Sequence, residues 1–159
     1  VFLTIVCNNI WSEDEYQKEL VNFVKLREME NHVKLMFEGA SEEGLRKTYA
    51  VSDIFILPIH LPPPRDGFGW QLVPFEAMAA GIPVITSRKI DIVEALRDGE
   101  TACFVNPLVP SEIADKVEML IKNPELYARI ASSGQKFVKE KMSWESYAEN
   151  LLAISSQLG

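Results

Sequence analysis

Short apolar runs that alternate with helix-patterned stretches constrain this chain more than any other feature. Runs rich in β-branched and aromatic residues occur at Val1–Cys7, Val33–Phe37, Ile54–Leu57, Ile82–Ile85 and Ala102–Val105. They read as strands buried on both faces, as in a parallel sheet. Between them, Ser12 is placed to cap a helix with Glu13, Asp14 and Glu15 in its first turn, where carboxylates favour the positive dipole end. Its expected apolar face is Leu20, Phe23, Val24 and Leu26. Ser41 plays the same part for Glu42 and Glu43, leading to Leu45 and Tyr49 four residues apart. Strands alternating with helices predict an α/β fold, a right-handed βαβ parallel sheet flanked by helices.

The last third changes character. Ser111 opens a predicted helix striped by Ile113, Val117, Leu120 and Ile121, and Asn123-Pro124 restarts helical structure with proline where its missing N–H costs nothing. Gly134 is expected to interrupt that helix. Ser143 caps a final one, whose Trp144, Tyr147, Ala148, Leu151 and Leu152 recur at helical spacing. This C-terminal helical cluster is expected to pack on the sheet or on a domain outside the chain. With no internal repeat, low-complexity tract or linker, residues 1–159 read as a single domain.

Composition narrows the function classes. A chain of 159 residues, 47% hydrophobic and 25% charged, needs neither disulfides nor a metal to build a core. The net charge of −7 speaks against a nucleic acid polymer as partner, since phosphate neutralisation drives most of that affinity. A single nucleotide is compatible with it, because one site needs only local basic groups or backbone donors. Cys7 and Cys103 stand far apart and read as two buried thiols in a reducing, cytoplasmic compartment. No apolar run approaches the ~20 residues that span a bilayer. The first segment lacks the basic start and small-residue cleavage site of a signal peptide. A chain beginning at Val1 without methionine reads as a fragment or a processed product.

Ligands of open α/β sheets bind beyond the carboxyl ends of the strands, which draws attention to Pro58–Ile85. There Pro62, Pro63 and Pro64 stiffen a loop, Gly67 and Gly69 bracket Phe68, and a helix follows through Glu76, Ala77, Met78 and Ala79 until Gly81 and Pro83 end it. Glycines before a helix start either let backbone N–H groups approach a phosphate or simply make a turn. Glu76 lies within Val73, Pro74, Phe75, Ala77, Met78 and Ala79, where a charge is costly unless paired or bound. Its carboxylate is suited to the diol of a sugar or ribose; a salt bridge or an exposed helix face is the alternative.

The stretch GFGWQLVPFEAMAAGIPVI resembles the signature of the nucleotide-sugar-dependent, retaining glycosyltransferases with the GT-B fold, the group 1 family. SEEGLRKTYAVSDIFILP resembles the family's helix and strand before the site, EALRDGETACFVNP the strand after it, and SWESYAENLL its terminal helix. The resemblance implies a Rossmann-like parallel sheet flanked by helices, one half of a GT-B fold, and most of the C-terminal, donor-binding domain. It also implies that the N-terminal acceptor-binding domain and the first strand–helix unit, with its diphosphate-binding Arg and Lys, lie outside the chain. The implied activity is transfer of a sugar from a nucleotide diphosphate sugar to an acceptor hydroxyl, with no cofactor and no bound metal. The isolated chain is expected to bind donor and not to turn it over.

By the same resemblance, Glu76 hydrogen-bonds the donor ribose, and Gly67, Phe68 and Gly69 form the loop near the transferred sugar. Leu72 and Val73 offer backbone N–H groups to the diphosphate, and Gly39 belongs to a loop lining the nucleobase. Asp66, the catalytic candidate, takes the place of the family's first glutamate, which contacts sugar hydroxyls. Nine residues separate Asp66 from Glu76 where the family has seven, and the family spacing counted back from Glu76 lands on Phe68. Arg88, Lys89, Ile90 and Asp91 replace the family's Gly-Gly turn, and Arg88 and Lys89 read either as diphosphate contacts or as solvated surface.

Other chemistry is poorly supported. His32 reads as an exposed loop residue, and His60 has no partner at a metal-ligand spacing. A serine nucleophile lacks its GxSxG elbow. Two rival functions stand beside the transferase: a non-catalytic nucleotide-sugar binding module, and a GT-B-like nucleotide-sugar epimerase that releases a free altered sugar. Base, sugar, acceptor, membrane association and oligomeric state are not legible.

Overall fold

The computed structural model describes residues 1–7, 14–60, 71–88 and 95–157, with the side chains of Asp14 and Gln157 left aside. Two compact units divide the chain, residues 1–48 and residues 49–159. In the first, strand β1 (Leu3–Val6) leads through helix α1 (Asp14–Leu26) to strand β2 (Val33–Met36). The strands pair in parallel, Leu3 opposite Val33 and Val6 opposite Met36. This is the expected βαβ unit with shorter strands and lighter burial, since β1 and β2 are at most half-buried. Of the predicted face of α1, Val24 is buried, whereas Phe23 and Leu26 are exposed. The Arg27 guanidinium lies over the Phe23 ring at 5.4 Å. Cys7 is exposed, contrary to the expected pair of buried thiols, because β1 ends before it and its carbonyl is occupied by the Gly39 N–H.

Helix α2 (Glu42–Ala50) begins as expected: the Ser41 hydroxyl accepts the Gly44 N–H at 3.1 Å, satisfying one of the donors left open at a helix start. Ser12 and its cap lie outside the described residues.

In the second unit, strands β3 (Phe55–Leu57), β4 (Val84–Ser87) and β5 (Cys103–Val105) form a parallel sheet in that order. Helix α3 (Val73–Ala79) connects β3 to β4. Period-two alternation sorts the strand residues between two cores. Phe55, Val84 and Phe104 face the first core with Phe75, Ala77, Met78 and Ile82. Ile56, Ile85, Cys103 and Val105 face the second with Leu120 and Ile130. Both faces of β4 and β5 are thus sealed, as a parallel sheet requires. Thr86, fully buried on β4, donates its hydroxyl to the Leu57 carbonyl at 3.1 Å.

Three helices close the unit: α4 (Pro110–Lys122), α5 (Pro124–Lys141) and α6 (Trp144–Gln157). Helix α4 starts at Pro110, one residue before the predicted Ser111, with Val109 as a cap that gives no side-chain bond. Asn123 caps α5 by accepting the Leu126 N–H at 3.0 Å. That helix runs unbroken through Gly134, against expectation. A Cβ at residue 134 would lie 3.1 Å from the Thr101 carbonyl and 3.2 Å from Met78 Cγ, so the glycine allows close approach instead of ending the helix. Eighteen residues at 1.5 Å each give α5 a length of about 27 Å. This lets Leu126, Tyr127 and Ile130 join one core, and Phe137 and Val138 the other. Ser143 caps α6, accepting the Ser146 N–H at 3.1 Å. Packing of the α6 stripe on the sheet is not seen: Trp144, Tyr147, Leu151 and Leu152 are exposed, Trp144 at 84%.

Candidate donor site at the start of α3

Parallel strands put the ends of β3, β4 and β5 on one edge of the sheet, with Leu57 opposite Thr86 and Ser87 opposite Val105. The crossover helix α3 runs back along the sheet, so its N-terminus opens toward that edge, the ligand side of an open α/β fold. Leu72 precedes the helix in αR conformation, and its carbonyl accepts the N–H groups of Phe75 at 2.9 Å and Glu76 at 3.0 Å. Pro74 occupies the first turn at no hydrogen-bond cost. Pro74, Phe75, Ala77 and Met78 are buried and anchor the helix to the first core, while Glu76 emerges exposed between them.

The structure therefore brings Leu72, Val73 and Glu76 together on one turn. Among the described residues, Glu76 has no lysine or arginine within ion-pair distance, and its partner is the Tyr49 hydroxyl. That hydroxyl donates to Glu76 Oε2 at 3.1 Å and approaches the Val73 carbonyl at 3.4 Å. The Tyr49 ring, half-buried against Phe55 with centroids 6.1 Å apart, fixes where the hydroxyl sits. Burial pushes the Tyr49 phenol well above its ordinary range, and the Glu76 hydrogen bond and charge push it further the same way. The hydroxyl consequently remains a donor throughout the neutral and mildly alkaline range. Sequence reasoning placed Tyr49 on an apolar stripe with Leu45 and missed this pairing. A hydroxyl at the end of α2 and a carboxylate 27 residues later meet only through the tertiary fold.

The other expected site residues fall elsewhere. Asp66, Gly67, Phe68 and Gly69, like Pro62–Pro64 and Lys89–Asp91, lie outside the described residues. Gly39 belongs to the first unit, a few residues after β2, with φ +71°, a backbone conformation that favours glycine. His32 and His60 are exposed. Among the described residues no three His, Cys, Asp or Glu side chains gather in a group that could hold a metal ion.

Arg88, directly after β4, is exposed and already carries a partner. Its guanidinium pairs with Asp98 Oδ2 at 3.0 Å and lies 5.9 Å from the Phe104 ring centroid. Asp98 Oδ1 accepts the Phe104 N–H at 2.9 Å and has Lys116 Nζ at 4.0 Å. This aspartate, which the sequence did not single out, joins the ends of β4 and β5 to α4. Beside Arg88, the Ser87 hydroxyl is fully buried and has no hydrogen-bond partner among the described residues.

A parallel sheet covered by helices, with a partnered carboxylate at the start of the crossover helix, defines a Rossmann-like domain of the kind from which GT-B glycosyltransferases are built. The model of the family described as glycosyl transferases group 1 matches residues 2–137, and the chain belongs to that family. It is 34% identical over 103 residues to the capsular polysaccharide biosynthesis glycosyltransferase CapM of Staphylococcus aureus, covering 65% of this chain and 26% of CapM. Among solved structures it resembles the C-terminal domain of the group 1 protein LpcC from Francisella tularensis, with TM-score 0.69 and 27% identity. That match covers 82% of this chain and 64% of the LpcC domain. The Anabaena protein HepE, solved in complex with UDP-glucose, shares the fold at TM-score 0.79 and 22% identity, over 99% of this chain and 41% of HepE. Three curated relatives are matched over only 36%, 30% and 26% of their own lengths, so the chain spans about a third of such proteins.

Proposed function

We propose that this chain is the donor-binding domain of a glycosyltransferase that moves a sugar from a nucleotide diphosphate sugar to an acceptor hydroxyl, with Glu76 holding the donor ribose. The observation that carries this reading is the Glu76 carboxylate itself. It is exposed on the first turn of α3, at the ligand edge of the sheet, and held through one oxygen by a neutral hydroxyl, with no cation paired to it among the described residues. A carboxylate so placed is an acceptor for a vicinal diol, which brings two O–H donors. HepE, a protein of the same fold, binds UDP-glucose, and this supports a nucleotide sugar as the ligand class.

Around Glu76 the remaining roles follow the family pattern. The Leu72 and Val73 amides meet the diphosphate, the Gly67–Phe68–Gly69 loop and Asp66 meet the transferred sugar, and Gly39 lines the base. In the reaction the bond from the anomeric carbon to the phosphate oxygen breaks, and the acceptor oxygen bonds to that carbon and gives its proton to the departing diphosphate. The nucleoside diphosphate leaves. Its growing charge is met by backbone N–H groups and basic side chains, with no metal or cofactor required. Retention at the anomeric carbon belongs to the same proposal, as do a second, acceptor-binding domain of the same protein and a cytoplasmic location. No described helix is long and apolar enough to cross a membrane.

The longer Asp66–Glu76 spacing favours one second reading, a non-catalytic nucleotide-sugar binding module. The test is a transfer assay on the full-length protein with UDP-, GDP- and ADP-sugars, following release of the nucleoside diphosphate. Acceptor-dependent release from one donor supports the transferase. Donor binding without release supports the module, and a free, altered sugar released without acceptor contradicts both.

A further inference from the structure

We infer that Tyr49 is a positioning residue for donor binding, whose hydroxyl orients the Glu76 carboxylate toward the ribose. The inference rests on the donor reading above and adds to it a residue outside the signature stretch. Three observations carry it. The Tyr49 hydroxyl reaches Glu76 Oε2 at 3.1 Å, and among the described residues no ion pair competes for that carboxylate. The ring is held independently, half-buried in the first core and tilted against Phe55, so the hydroxyl's place does not depend on Glu76. The same hydroxyl lies 3.4 Å from the Val73 carbonyl, which ties it to the helix turn that carries Glu76.

An exposed glutamate otherwise samples several rotamers, and binding must freeze it in one. A neutral donor fixed on one carboxylate oxygen reduces that cost while leaving the negative charge and the other oxygen for ligand hydroxyls. An arginine would also fix the carboxylate but would neutralise its charge. Burial keeps the phenol protonated, so the donor persists wherever the protein is folded near neutral pH.

The test uses the full-length protein, Tyr49→Phe, Glu76→Ala and the double variant, with Kd measured for UDP, GDP and ADP and for the 2′,3′-dideoxy form of whichever binds. Phenylalanine keeps the ring contact and removes only the hydroxyl. Tyr49→Phe is expected to weaken the ribonucleotide about fivefold, the worth of one net hydrogen bond. It should leave the dideoxy nucleotide unchanged and add nothing in the Glu76→Ala background, which has no acceptor left for the hydroxyl. A purely structural tyrosine would weaken both nucleotides equally and in both backgrounds, and that result overturns the inference while the donor reading stands. If the unsubstituted protein binds no nucleoside diphosphate, the donor reading falls and the inference with it. Should Tyr49→Phe fail to fold, the Tyr49 ¹³Cζ resonance of the unsubstituted protein decides. A shift on binding the ribonucleotide that is absent with the dideoxy form supports the inference, and equal shifts with both contradict it.

Discussion

At the scale of single residues, Tyr49 and Glu76 show how a charge is kept usable on an otherwise apolar helix. Pro74, Phe75, Ala77 and Met78 are buried, and Glu76 among them is turned outward and held by a neutral donor. The two cysteines give a second contrast of environment. Cys103 is fully buried on β5, where burial pushes its thiol up; the Lys116 charge pulls against that shift and the Asp98 charge adds to it. Cys7 is exposed just past β1. Because the thiolate is the reacting species, a thiol-specific reagent at neutral pH should modify Cys7 in the folded protein and reach Cys103 only after denaturation. Peptide mapping after a short labelling pulse reads this directly. Labelling of both thiols at similar rates in the folded state would contradict the burial of β5. Sequence reasoning treated the two as alike because both sit in apolar runs; what separates them is that Cys103 lies on β5 inside a sealed core whereas Cys7 falls past the end of β1, and no run of residues records that.

At the scale of elements, the strand–helix alternation was legible because each run is short, apolar and bounded by polar or turn residues. Caps at Ser41 and Ser143 were legible for the same local reason: a side-chain oxygen beside an open N–H needs no tertiary partner. Gly134 was misread because its role is not local. Its missing side chain makes room for the Thr101 carbonyl and Met78, 33 and 56 residues away in sequence. In an exposed helix, replacing glycine by alanine gains up to about 1 kcal/mol. Here Gly134→Val should instead cost about 1–3 kcal/mol, the usual cost of overpacking, because the Thr101 carbonyl is backbone and Met78 is fully buried. Denaturant unfolding monitored by circular dichroism measures it. Unchanged or raised stability would show that α5 stands off from α3. The Tyr49–Glu76 pair was invisible for the same reason as Gly134, and the roles given to Asp66 and Gly67–Gly69 rest on the resemblance alone.

At the scale of the whole molecule, the chain spans about a third of its curated relatives, so transfer activity is to be sought in the full-length protein, and the proposal for these residues is nucleotide recognition at Glu76. The most direct test is thermal unfolding of the full-length protein with UDP, GDP and ADP, repeated on Glu76→Ala. A nucleotide at 100 times its Kd should add about 2.7 kcal/mol of stability. The account predicts stabilisation by a nucleotide of one base, lost or strongly reduced in Glu76→Ala. Stabilisation of equal size in the variant, or none by any of the three nucleotides, would contradict it.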